Sequence, residues 1–278
     1  MLLDPYATNS PGSPRSCYFD GKTRLDNSCS NITPVFPSSS SFGLASYWYN
    51  RTVQTGDVST VFSISTSAGK TVACVSHQTI NSQRVLRVTL SDDGFVNWMD
   101  CVGSTTLPND SNWHHVIIFW DTNTTSISYY VDGSPGAFAT TSHSGSTFNI
   151  TYTGKTFSVG ASDAINDTAY LNSGLAEFFF MTPTATVNLA TDVALFIDTT
   201  NAVSQYLGTN GMVPYGSPPQ IYLFGNKSFF SLNLTNYTRF PLILDLTGTP
   251  GPNVFQVTGA ILNGTDSDPF GKSNGAGV

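Results

Sequence analysis

Between Trp113 and Gly133 the order of apolar and polar residues describes two adjacent β-strands. Val116-Ile117-Ile118-Phe119-Trp120 is continuously apolar, β-branched and aromatic, which predicts a strand buried on both faces. The run is too short for a helix of its own, and Asp121-Thr122-Asn123 ends it with turn formers. From Ser126 to Val131 the pattern alternates, with Ile127, Tyr129 and Val131 on one face and Ser126, Ser128 and Tyr130 on the other. Asp132-Gly133 supplies the positive φ that a tight hairpin needs. Pro135 then stops the ladder from running on through the turn.

The same reading predicts strands over 42–49, 58–66, 71–77, 84–90, 95–98, 156–161 and 175–181. Ser, Asn, Gly and Asp clusters separate them at the spacing of an antiparallel sandwich. The best helix candidate is short, Thr191 to Thr199, where Val193, Phe196 and Ile197 fall at helical spacing and Thr191 could cap. The expected fold is therefore all-β, an antiparallel two-sheet sandwich. Four segments follow: an irregular N-terminal arm over 1–41, the sandwich over 42–183, a small segment with a short helix and strands over 184–264, and a flexible tail over 265–278. Strand candidates in the third segment are 220–224, 229–234, 242–246 and 254–257.

Charge is scarce. Only 10% of the 278 residues are Asp, Glu, Lys or Arg, so Ser, Thr, Asn and Gly must build the surface. The net charge is −7, and the eleven basic residues are scattered between Arg15 and Lys272. A nucleic-acid partner needs a basic footprint, and none is present. No apolar stretch approaches the ~20 residues of a membrane span. Met1-Leu2-Leu3-Asp4-Pro5 has neither a basic nor an apolar leader region, so the expectation is a chain used without Sec export or one whose leader has been removed.

Cysteine usage leaves two readings open. In an oxidising compartment the simplest pairing is Cys17 with Cys29 and Cys74 with Cys101. Otherwise all four are buried free thiols. Their spacing matches no zinc site. Ten Asn-x-Ser/Thr sequons, from Asn31 to Asn263, would mean heavy glycosylation in a secreted eukaryotic chain. In a chain this rich in Asn, Ser and Thr, chance also supplies many.

Four motifs occur in an order that resembles laminin-G-like domains, which are concanavalin-A-like jelly-roll sandwiches. They are Trp113-His114-His115-Val116 through Trp120-Asp121, then Tyr130-Val131-Asp132-Gly133, Phe157-Ser158-Val159-Gly160-Ala161 and Gly174-Leu175-Ala176-Glu177-Phe178. The resemblance covers roughly residues 42–182. Further on, Phe196-Ile197-Asp198, Tyr206-Leu207-Gly208 and Ile221-Tyr222-Leu223 resemble an extension found after such domains in tailed-bacteriophage structural proteins. The resemblance implies a non-enzymatic virion component, a capsid decoration or a part of the tail or its fibres. It would be assembled in the host cytoplasm, docked to other virion proteins, built as a homo-oligomer such as a trimer, and able to touch host-surface glycans. The alternative is a secreted, glycosylated laminin-G-type recognition module.

Candidate sites follow from residue chemistry. His114 and His115 are strand neighbours, so they point to opposite faces and cannot share one metal. Trp48 and Trp120 lie on apolar strands and belong to the core. Trp98, flanked by Asn97 and Asp100, is the candidate sugar platform. A glycosidase needs two carboxylates at a set separation. Glu177 is the only glutamate, and period-2 counting places the apolar Leu175 and Phe179 on its face, so no acid pair converges there. Related domains often hold Ca²⁺ on loop oxygens. Asp163, Asn166 and Asp167 form one such cluster, and Asp92 and Asp93 another; solvated turn residues are the competing reading.

Overall fold

The computed structural model describes residues 17–22, 24–32, 36–50, 58–110, 112–162, 169–200, 203–205, 207, 211–223, 256–258 and 262–263. Along the chain, β1 (Cys17–Asp20), β2 (Arg24–Ser28) and the two-residue β3 (Ser39–Ser40) precede the long β4 (Phe42–Asn50). Next come β5 (Val58–Thr66), β6 (Thr71–Ile80), β7 (Gln83–Ser91), β8 (Trp98–Gly103), β9 (Trp113–Asp121) and β10 (Ser126–Val131). After them lie β11 (Ser134–Pro135), β12 (Phe138–Ser144), β13 (Ile150–Thr151), β14 (Lys155–Val159) and β15 (Asn172–Met181). The C-terminal part adds α1 (Leu189–Asp192), a 3-10 turn (Val193–Leu195), β16 (Ile197–Asp198), β17 (Val203–Ser204), β18 (Ile221–Leu223), β19 (Gln256–Thr258) and β20 (Leu262–Asn263).

Two antiparallel sheets stack face to face as a jelly-roll sandwich, as the residue pattern predicts. The first runs β11-β10-β9-β4-β15-β1-β20, with β18 also pairing β15. The second runs β12-β8-β7-β6-β5-β14-β2-β19. Phe62, Phe157, Phe178, Phe180, Trp120 and Tyr47 fill the space between them, each fully buried. Their rings meet stacked or edge-on, for example Phe62 on Phe157 at 5.4 Å and Phe157 on Phe180 at 5.0 Å.

Described strands of both the expected arm and the third segment belong to this sandwich. β1 pairs β15 in the first sheet, and β2 pairs β14 in the second, so residues 17–28 are not an irregular arm. β18, β19 and β20 pair β15, β2 and β1. The described residues of the 184–223 stretch place Leu189, Val193, Phe196, Ile197, Leu207 and, from β18, Tyr222 on the outer face of the first sheet. There they form a second apolar cluster with Trp48, Ile117, Phe119 and Phe179. This cover explains why β9 is apolar on both sides: Val116, Ile118 and Trp120 face the inner core, Ile117 and Phe119 the outer cluster.

Some local expectations change. Residues 95–97 are turn, not strand, because Phe95 takes a φ of +56° and β8 begins at Trp98. The helix starts at Leu189 with Asn188 as its cap, its side chain accepting from the Ala190 N–H, rather than at Thr191. β12 carries no apolar alternation and was not predicted. The expected strands at 229–234 and 242–246 and the tail lie outside the described residues. No described helix is long and apolar enough to cross a membrane.

Candidate functional site

The extension covers the outer face of the first sheet; the outer face of the second carries the polar chemistry. On β8 burial alternates, so Met99, Cys101 and Gly103 face the core while Trp98, Asp100 and Val102 face out. The register sets Asp100 opposite Thr89 of β7 and Ser142 of β12, and Trp98 opposite Ser91 and Ser144. Arg87, two residues along β7 from Thr89, pairs across to Ser76 of β6. Neutral hydroxyls and amides, one aromatic ring and one ion pair thus share a face.

The ion pair is bidentate. Arg87 Nε donates to Asp100 Oδ1 at 2.8 Å and Nη2 to Oδ2 at 2.7 Å. Thr89 Oγ1 also donates to Asp100 Oδ1, at 3.1 Å, and Arg87 Nη1 reaches Gln78 Oε1 at 3.5 Å. Partial burial alone would raise the Asp100 carboxyl, but the Arg87 hydrogen bonds and charge outweigh it and hold the group below the usual carboxylate range. The pair remains partly solvated, with side chains 37% and 24% exposed.

Asn97 has a different task from the one its neighbours suggest. The 92–97 loop is held by Asp92, whose carboxylate accepts from the backbone N–H of Val96 (3.0 Å) and Asn97 (3.2 Å) and from Asn97 Nδ2 (2.6 Å). Asn97 Oδ1 in turn accepts from the Ser146 N–H at 3.1 Å, tying this loop to the turn after β12. Trp98 and Asp100 therefore share a face and Asn97 is turned into the loop. The second acidic cluster divides in the same way: Asp92 clamps the loop while Asp93 Oδ1 pairs with the buried Lys155 ammonium at 2.8 Å. Asp163, Asn166 and Asp167 lie outside the described residues.

The cysteines are not paired as the oxidising reading expects. Cys29, Cys74 and Cys101 carry free thiols. Cys74 sits opposite Thr89 on the outer face, whereas Cys101 sits opposite Val88 in the core, so the sheet separates their sulfurs. Cys29 is buried, and burial pushes its thiol up to about 12, which makes it inert. The side chain of Cys17 lies outside the described residues.

Glu177 is buried beneath the extension rather than facing a cleft. The register slips between Ala176 and Phe179, so Glu177 and Phe178 together oppose Tyr47. Glu177 takes a φ of +47° and accepts a hydrogen bond from Tyr222 of β18. The bulge also breaks period-2 counting: Leu175 lies in the inner core and Phe179 in the outer cluster, not together beside Glu177.

A polar cluster that the sequence reading missed sits around His114. Nδ1 bonds Asp132 Oδ2 at 2.7 Å and Nε2 bonds Asp110 Oδ1 at 2.8 Å. Burial would lower the imidazole, but the two carboxylates outweigh it and raise it. Its neighbour His115 faces the opposite side, fully buried against Trp48 and bonded to Ser46 Oγ at 2.8 Å, and burial pushes it down to about 3. Asp110, four residues before His114, and Asp132, at the hairpin end, were visible signals; only the fold brings them to one ring.

No protein-family model and no curated protein sequence matches the chain. Solved structures do. A heptameric SAP-like pentraxin from Limulus polyphemus matches with a TM-score of 0.50 at 14% identity, over 76% of this chain and 94% of that one. A putative carbohydrate-binding protein from Bacteroides ovatus matches with a TM-score of 0.54 at 12% identity, over 91% of this chain and 60% of that one. Domains LG4-5 of the mouse laminin alpha1 chain match with a TM-score of 0.42 at 10% identity, over 62% of this chain and 43% of that one. At such identities the likeness is one of fold: the class is the concanavalin-A-like jelly-roll sandwich.

Proposed function

We propose that the chain is a non-catalytic glycan-binding module and that its ligand lies on the outer face of the second sheet, against Trp98. The observation that supports this most directly is the asymmetry of the two outer faces. One is sealed by an apolar extension; the other presents an indole beside Arg87, Thr89, Asp100, Ser142 and Ser144. An aromatic platform next to fixed hydrogen-bonding groups suits a pyranose ring, whose faces are apolar and whose rim is hydroxylated. Because Arg87 is neutralised by Asp100, the face offers paired donors and acceptors rather than a net charge, which favours neutral sugars. That one structural neighbour is described as a putative carbohydrate-binding protein agrees with this reading.

The biological setting proposed is the surface of a tailed-phage particle, where such a module would touch host polysaccharide; this rests on the resemblance of Phe196-Ile197-Asp198, Tyr206-Leu207-Gly208 and Ile221-Tyr222-Leu223 to an extension in phage structural proteins. Docking to the particle through the N-terminal strands or β18–β20 is disfavoured, since these are built into the sandwich. Particle proteomics lacking the chain would end the virion reading without touching the glycan reading.

The test is a glycan array followed by titration of any neutral glycan bound, with Trp98→Ala as the variant. Loss of a central stacked tryptophan is worth about 2 kcal/mol or more, roughly a 30-fold weakening. A binder whose affinity is unchanged in Trp98→Ala, or an array with no binder, overturns the proposal.

A further inference from the structure

Sheet edges invite pairing, and folded proteins usually blunt them. Among the described edges, β11 is only Ser134–Pro135, and its proline cannot donate to a ladder. β12 is different. It is seven residues long, Phe-Ala-Thr-Thr-Ser-His-Ser, and its described pairing is with β8 alone. From Ala139 to Ser144 every residue is exposed, whichever face it would occupy. A strand whose residues are open on both faces has no core beneath it, and neither Lys, Glu, Asp nor Pro protects its free side. Indeed the chain carries no charged residue at all between Asp132 and Lys155. The register irregularity is confined to the Phe138–Thr140 start, leaving 140–144 regular.

We infer that β12 is a dimerisation edge: it pairs antiparallel with the β12 of a second copy, joining the two second sheets into one continuous sheet across a two-fold axis. The strand suits itself as a partner. Antiparallel pairing centred on Ser142 sets Thr140 opposite Ser144 and Thr141 opposite His143, so no like charges meet. The two Thr141 side chains lie diagonally on the same face, within reach of long side chains. This closes as a dimer, which replaces the trimer expected from the resemblance. Because the axis is perpendicular to the sheet, both outer faces look the same way. β8 and its counterpart are then three strand spacings apart, about 14 Å at ~4.8 Å each. If the glycan reading holds, two Trp98 platforms face one surface and binding gains avidity; the dimer itself does not depend on that reading.

The experiment is sedimentation equilibrium on the full chain, whose monomer mass is 29.8 kDa. A single strand pair buries little, so a concentration-dependent rise toward twice that mass is expected between micromolar and roughly millimolar concentrations. Thr141→Lys and Thr141→Asp should each remain monomeric there with a melting temperature lowered by no more than a few degrees, since Thr141 is exposed and gives up only its hydrogen bond with the Cys101 thiol. Mixing the two variants equally should restore the dimer mass. Should either variant fold poorly, Ser142→Lys tests the same edge, because Ser142 is exposed and pairs with its own copy on the axis, setting two ammonium groups directly opposite. The inference is overturned if wild type stays monomeric throughout, if it assembles into anything other than a dimer, or if the single variants dimerise as wild type does. Sugar binding is not read in any of these arms, so their failure is distinct from failure of the glycan proposal.

Discussion

Gly43 and Trp120 face each other across β4 and β9, and the close approach of that pair offers a sharp test of the inner core. A Cβ added at Gly43 would lie 2.0 Å from Trp120 Cζ2, 2.2 Å from Cε2 and 2.7 Å from Cη2. These atoms belong to a rigid ring that is fully buried and packs on Phe180 at 5.9 Å, so the indole cannot swing away into solvent. Gly43 has no positive φ, so the penalty of Gly43→Ala is steric rather than conformational. Overpacking a core costs about 1–3 kcal/mol, occasionally more. A clash this deep against a ring held on both sides belongs at the upper end, about 3 kcal/mol. For a chain of this size that lowers the melting temperature by roughly 6–12 °C. The assay is urea unfolding followed by circular dichroism, read as a shift in midpoint at constant slope. Trp120→Phe removes the atoms nearest the added Cβ. The double variant should therefore be more stable than the sum of the singles by more than about 1 kcal/mol. A single Gly43→Ala cost under about 0.5 kcal/mol, or strict additivity in the cycle, would refute the reasoning.

His114 makes stability pH-dependent. Its folded value is raised, so the Asp110 and Asp132 contacts contribute fully below the ordinary imidazole range near ~6.5 and are lost as pH rises through the raised value. Asp110 is held well below the usual carboxylate range by the His114 hydrogen bond, so its share persists in mild acid and disappears only in strong acid. Melting temperatures from neutral pH upward should fall in wild type and stay flat in His114→Gln; parallel curves would exclude this contribution from His114. Phe196 is buried on Phe179 at 5.1 Å, and Phe196→Ala should cost about 3–5 kcal/mol in chemical unfolding. A loss below 1 kcal/mol by the same assay would mean that the extension is not part of the cooperative unit. Replacing Arg87 and Asp100 together by Met and Asn should change stability by about 1 kcal/mol or less, because the pair is partly solvated. A loss of several kcal/mol in urea unfolding would show that the outer face is a structural centre, not a ligand surface.

How much of this was legible in the residues depends on what each strand buries. β9 was readable because apolar side chains on both faces leave no ambiguity, although what covered its outer face was hidden. Leu189, Val193 and Phe196 looked like the start of a separate segment, since an apolar stripe does not name its partner. β1 and β2 were missed because four or five mixed residues such as Arg-Leu-Asp-Asn-Ser carry too weak an alternation; sheet neighbours, not local preference, make them strands. β12 escaped for the opposite reason: neither face packs, so there was no pattern to detect. In the candidate site, Trp98 and Asp100 stood out at i, i+2 on one strand. Arg87, Gln78 and Ser142 did not, because cross-strand register brings them in.

Glu177 shows where period-2 reasoning must fail. Counting by twos assumes that each residue advances the strand by one pleat, and a bulge adds a residue without a partner. The added residue is a glutamate in the left-handed region, a conformation that costs a non-glycine residue about 1–2 kcal/mol. Nothing in Gly174-Leu175-Ala176-Glu177-Phe178 announces it. What stabilises it lies forty-five positions on, where the Tyr222 hydroxyl donates to the carboxylate inside the outer cluster. The same slip lets Phe178 and Phe180 fill the inner core while Ala176, Phe179 and Met181 meet the extension, so β15 serves both cores. From Leu175 to Met181 each apolar side chain is assigned to one core or the other, and the one polar residue in that stretch sits where the register breaks. It follows that the extension and the sandwich specify each other here: the bulge sets the Glu177 carboxylate where the Tyr222 hydroxyl reaches it, and the pairing of β18 on β15 brings that hydroxyl into place.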